Sequence, residues 1–136
     1  MQQTNDTTTP IYAQGTLDFV TVAAEFCAFL EQSSGRSKEQ FVDTMLKLLP
    51  YLYMKATMVK RIESNGDFLP DDKVTEEDYN WIRNIIYSIM GNDDDYEELV
   101  FDANIQSDEI KWCSISENLS DMYQSLRNFV SAYQIG

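Results

Sequence analysis

Apolar residues recur in this chain at steps of three and four along most of its length. That spacing admits one kind of fold, helices packed through apolar stripes. The last stripe is the most regular: Ile115, Leu119, Met122, Leu126, Phe129 and Tyr133 alternate steps of four and three. It predicts a helix over 115–133 that packs along nearly parallel or antiparallel partners. Ser114 stands at its start, with Glu117 as capping-box partner.

The other helices follow from the same reading. Phe19, Val22, Ala23, Phe26, Cys27 and Leu30 form a stripe over about 17–32, capped by the Thr16 hydroxyl and ended at Ser33-Ser34-Gly35. Phe41, Met45, Leu48 and Leu49 predict a second helix beginning at Ser37, with Gln40 as its capping-box partner. Pro50 then removes a backbone donor and crowds the preceding turn, yet the pattern resumes with Tyr51, Leu52, Tyr53, Met54, Met58 and Ile62. Either one helix kinks at Pro50 or a new one begins there. The reading taken is two segments, 38–49 and 51–63, at a bend. Thr75 caps a helix over 76–90, with Tyr79, Ile82, Ile85, Ile86 and Ile89 inward and Gly91 as its stop. Glu76, Glu77 and Asp78 lie in its first turn, where the helix dipole favours negative charge.

The expected fold is an all-α, mostly antiparallel bundle of four to five helices, a single domain over 16–136. Residues 1–15 are read as a frayed polar tail and 64–74 as a loop. A long irregular acidic connection is expected over 91–113, in which Leu99-Val100-Phe101 is either a short strand or an apolar anchor for the loop. With 43% hydrophobic residues and 15 Phe or Tyr, a chain of 136 residues has enough to build a core without metal or disulfide staples.

Charge narrows the function. From Glu63 to Asp121 there are 17 acidic residues against three basic ones, Lys73, Arg83 and Lys111, whereas residues 1–62 hold six of each. The net charge of -13 opposes binding to nucleic-acid backbones and anionic lipid. No apolar run approaches the roughly 20 residues needed to span a membrane, and no apolar signal segment opens the chain. Two well-separated cysteines, Cys27 in an apolar run and Cys113 beside Trp112, fit a reduced cytoplasmic protein.

The absence of histidine removes Ser-His-Asp and Cys-His catalysis and the zinc motifs that use it. No Gly-rich phosphate loop exists among the five glycines. Carboxylates remain. An EF-hand loop counted from Asp93 places Asp95 and Glu97 correctly but fails at Glu98, where glycine is required, and at Asn104, where Glu is required. An irregular calcium or magnesium site using Asp93, Asp94, Asp95 and Glu97 is the metal reading. The carboxylate pairs Glu39/Asp43 and Glu117/Asp121 are isolated, so no catalytic set can be named. No cofactor is indicated.

Aromatic and apolar residues give an interaction reading. Trp81 lies off the main stripe of its helix, either exposed or buried under the 92–113 connection. Leu99, Phe101 and Trp112 lie within that connection, and Phe129 and Tyr133 on the last stripe. Six acids crowd Asp93–Asp102 around Leu99-Val100-Phe101.

Two stretches carry a resemblance. One is Phe19-Val20-Thr21-Val22-Ala23-Ala24-Glu25-Phe26-Cys27, followed by Leu49-Pro50-Tyr51-Leu52-Tyr53; the other is Ser114-Ile115-Ser116-Glu117-Asn118-Leu119-Ser120-Asp121-Met122-Tyr123-Gln124. Across about 17–135 the chain resembles a bacterial family of small helical proteins catalogued only as a domain of unknown function. The resemblance implies an all-helical domain in a bacterial cytoplasm and transfers no catalytic residue. It also implies a further helical segment, with Trp-Gly and Leu-Arg-Ala-Leu-His patterns, that does not precede Gly136. Without it, the stripe over 115–133 is expected to be partly uncovered and open to self-association.

The leading expectation is therefore a non-enzymatic interaction module. It presents its 63–121 face to a basic protein partner, or forms a homodimer through the last helix. The alternatives are a divalent-metal protein using the 93–97 loop and an acidic mimic of nucleic acid.

Overall fold

The computed structural model describes residues 14–59, 73–100 and 109–135. Four helices and a small sheet follow in order: α1 Gln14–Glu31, α2 Lys38–Thr57, α3 Glu76–Met90, β1 Asp95–Val100, β2 Glu109–Ser114 and α4 Ile115–Ile135. A short 3-10 turn, Gly91–Asp93, joins α3 to β1. The fold is thus mostly helical rather than all-α, because the expected irregular connection carries an antiparallel two-stranded sheet. Of the expected segments, 1–13, 60–72 and 101–108 lie outside the described residues, Phe101 among them.

Local chemistry sets the helix ends. Ser37 Oγ accepts from the Gln40 amide at 3.2 Å at the start of α2. Thr75 and Asp78 close a full capping box at the start of α3. Gly35 and Gly91 take positive φ, 79° and 55°, where α1 and α3 give way.

Two expectations need correction. Pro50 lies inside one continuous helix, and no second helix begins at it. Proline deprives the Leu46 carbonyl of its donor, but Leu46 and Pro50 are both exposed, so water can take the donor's place. Thr16 is not a cap: α1 starts two residues earlier, and Thr16 is buried within it. Gly15 permits this, since a Cβ there would stand 2.6 Å from the Met58 carbonyl oxygen. Glycine lets the first turn of α1 close onto the end of α2.

The α1–α2 pair is an antiparallel hairpin, with Phe29 stacked on Phe41 at 5.7 Å near the turn. The core runs from this pair to the α3–α4 pair through Phe26, Leu30, Phe41, Ile82, Ile86 and Val130. Each such side chain contributes about 1.5–3 kcal/mol by leaving water. Polar ties fix the helices along their lengths. Glu31 accepts from Tyr123 Oη and from the Arg127 guanidinium, both at 2.6 Å, joining α1 to α4. Asn128 Oδ1 accepts the Lys73 and Val74 amides at 2.7 and 3.1 Å, holding the entry to α3 against α4. Cys27 is fully buried in this core, and burial pushes its thiol up to about 12. It behaves as a small hydrophobe, as its apolar neighbours imply.

Candidate functional site

The acidic run at Asp93 divides its charges among three tasks. Asp93 pairs with Lys38 at the start of α2, at 2.5 Å. Asp94 turns inward and is 3% exposed. Its Oδ1 accepts the Ser116 amide at 2.8 Å, and its Oδ2 accepts the Ser114 and Ser116 hydroxyls, both at 2.7 Å. Its backbone carbonyl accepts the Ile115 amide at 2.8 Å. The first turn of a helix presents unpaired N–H groups and the positive end of a dipole, and Asp94 satisfies both for α4. The carboxylate that caps this helix start is thus Asp94, acting on the Ser116 amide, rather than the Glu117 expected to complete a capping box. Ser114 Oγ still accepts the Glu117 amide, at 3.3 Å. Asp95 opens β1 and is exposed.

From this clamp the β-hairpin leaves the bundle. Asp95 faces Ser114, Glu97 faces Trp112 and Leu99 faces Ile110. Residues directly opposite share a face, and alternate residues take opposite faces. One face therefore carries Asp95, Glu97, Leu99, Ile110, Trp112 and Ser114. Tyr96, Glu98, Lys111 and Cys113 occupy the other. The second face leans on α4, where the Asn118 amide donates to Tyr96 Oη. The Cys113 thiol donates to Glu98 at 3.3 Å.

The first face is open. Leu99 is 51% exposed, Ile110 64% and Trp112 67%. Beside β2, a cavity of about 550 Å³ is lined by residues including Tyr79, Lys111, Trp112, Glu117 and Asp121. Burial, then a 2.7 Å hydrogen bond to Asp121, raises the Tyr79 phenol to about 12, so it stands there as a neutral donor. Further along α4, past Asp121, which lines both, Phe19, Leu52, Tyr53, Met122 and Leu126 line an apolar groove of about 450 Å³.

The sequence-derived candidates separate accordingly. Leu99 and Trp112 are brought onto one exposed face. Trp81, 47% exposed, stands on the outside of α3. Phe129 packs on Phe19 at 5.7 Å between ring centres, and Tyr133 rests against the core. Asp93, Asp95 and Glu97 are not gathered, and among the described residues no group of three or more His, Cys, Asp or Glu is placed to hold a metal ion. Ile110 is not among the sequence-derived site residues, and Asp94 is among them only as a metal candidate, not as the cap of α4. The alternation Ile110-Lys111-Trp112 was the available signal for the first; nothing local marks Asp94. Among the described residues no helix is long and apolar enough to cross a membrane.

Residues 10–136 match the family described as "Domain of unknown function (DUF5063)". The chain belongs to that family. The fold is similar to the crystal structure of protein BF1032 from Bacteroides fragilis, a structural-genomics target, with a TM-score of 0.78 and 41% sequence identity. The match covers 94% of this chain and 76% of that one. No curated protein matches.

Proposed function

We propose that this member of the DUF5063 family is a non-enzymatic protein-interaction module whose hairpin receives a basic partner. One observation carries the reading: Leu99, Ile110 and Trp112 lie side by side and exposed, with Asp95, Glu97 and Glu98 exposed around them. Desolvated aromatic and aliphatic anchors within a charged rim are the usual anatomy of an interface. The acids add steering and select against acidic partners. Most of the last helix's apolar stripe packs against its own core, which favours the hairpin over α4 as the contact surface. Free cysteines at 27 and 113 suit a reduced, cytoplasmic setting.

The test is capture of partners from the native host by the wild type and by the variant Ile110→Thr with Trp112→Thr, at low and high salt. The reading expects a basic partner to be retained by the wild type, lost by the variant and weakened by salt. Equal capture by both proteins would assign the interface elsewhere.

A further inference from the structure

The hairpin has two long edges, and the backbone pairing fixes which groups point outward. The Ile115 amide donates to the Asp94 carbonyl, so Asp94 and Ile115 form a hydrogen-bonded pair. In an antiparallel ladder such pairs alternate with non-hydrogen-bonded ones. Following the register, Tyr96/Cys113, Glu98/Lys111 and Val100/Glu109 exchange the inward bonds. The N–H and C=O groups of Asp95, Glu97 and Leu99 consequently point away from β2. No partner among the described residues takes them, and every residue from Asp95 to Leu99 is exposed. The two edges differ. β2 runs directly into α4, beside the cavity that Glu117 and Asp121 also line, whereas the principal neighbour of β1 is β2 itself.

An open strand edge is a template for another strand. Three acids and no base stand on β1: Asp95 and Glu97 on one face, Glu98 on the other. Two copies joined edge to edge would crowd these carboxylates against one another with no base between them, which is destabilising. The same charges complement an extended segment with Lys or Arg at alternate positions. Building on the interaction reading above, we infer that β1 takes such a segment from a partner protein as a third strand. The backbone bonds form at Asp95, Glu97 and Leu99, and the cations lie beside Asp95 and Glu97. A two-stranded ribbon is marginal alone, so a third strand also steadies the hairpin.

The probe is a short synthetic peptide alternating Lys with Thr and ending in Val, added to the whole protein at low salt. Amide hydrogen exchange and Trp112 fluorescence are followed. Strand addition gives the outward-pointing Glu97 and Leu99 amides a new hydrogen bond and so protects them. It adds to Tyr96 and Glu98, already in the ladder, only the smaller protection that steadying the hairpin brings. N-methylating the peptide amides that face β1 keeps its charge but removes the bonds, and is expected to weaken binding by about tenfold or more. If Trp112 responds while the Glu97 and Leu99 amides stay unprotected and N-methylation costs nothing, the peptide lies on the face. That outcome overturns strand addition and leaves the interaction reading standing. No response anywhere on the hairpin removes both.

Discussion

The last helix and the hairpin that precedes it carry apolar residues of similar size to opposite ends. Along α4, Leu119 is buried and Ile115, Met122, Leu126 and Phe129 pack against the core. On the hairpin, Leu99, Ile110 and Trp112 stay in water. The difference lies in what surrounds each element. Helix α4 has α1 beside it and α3 antiparallel to it, so its stripe meets the core along its length, although Met122 and Leu126 also line the apolar groove. The hairpin meets the bundle chiefly at its base, through Asp94, and through Tyr96 on one face. An apolar residue joins a core only where the topology supplies cover; elsewhere it is available to a partner.

Mutation sharpens this contrast. Leu119→Ala should cost about 2–5 kcal/mol in urea unfolding, the range for opening a cavity in a packed core. A loss below 1 kcal/mol would place that stripe outside the core. Asp94→Ala should cost about 1–3 kcal/mol, because it leaves buried donors of the α4 start unpaired; far-UV circular dichroism should show the helices largely kept. Trp112→Ala should change stability by no more than about 0.5 kcal/mol, since the side chain is mostly in solvent. A cost approaching that of Leu119→Ala would erase the distinction between the two regions.

A pH titration reports on the junction between them. The folded pKa of Tyr79, about 12, lies above its ordinary value of 10. The native state therefore holds this proton more tightly than the unfolded chain. Its contribution is complete below pH 10 and is lost as pH rises towards 12. Tyr79→Phe should lower the melting temperature at neutral pH, where the contribution is complete, and flatten its fall across that window. An unchanged alkaline slope would remove Tyr79 from the account.

The bundle was legible in the sequence because a buried stripe leaves a period. Phe26, Ile82, Ile86 and Leu119 each stand on a three-and-four-step stripe of their own helix and are buried, whereas Val130, also buried, lies off the expected stripe. Thr75 and Gly91 mark their helix ends by chemistry within one turn. The hairpin left less trace. Its strands bury neither face fully, so nothing enforces alternation, and Asp and Glu on β1 are poor strand formers. Leu99 and Trp112 were readable as candidate contacts, but their shared face depends on a register that periodicity does not give. In the sequence Asp94 stands with Asp93, Asp95 and Glu97 as a metal candidate, because the amide it caps belongs to Ser116, 22 positions later. Pro50 misled for a related reason: its cost depends on whether Leu46 faces solvent.

That distant cap has a kinetic side. A helix with its N-cap at hand can close its first turn by itself, whereas α4 draws its best acceptor from a residue on the far side of the hairpin. Ser114 Oγ caps one amide locally, but the Ile115 and Ser116 amides are satisfied only when β1 and β2 have met, which places this corner late in folding. Substitution of Asp94 should accordingly quicken unfolding more than it slows refolding. Stopped-flow measurements in urea would reveal this as a change confined mainly to one arm of the chevron.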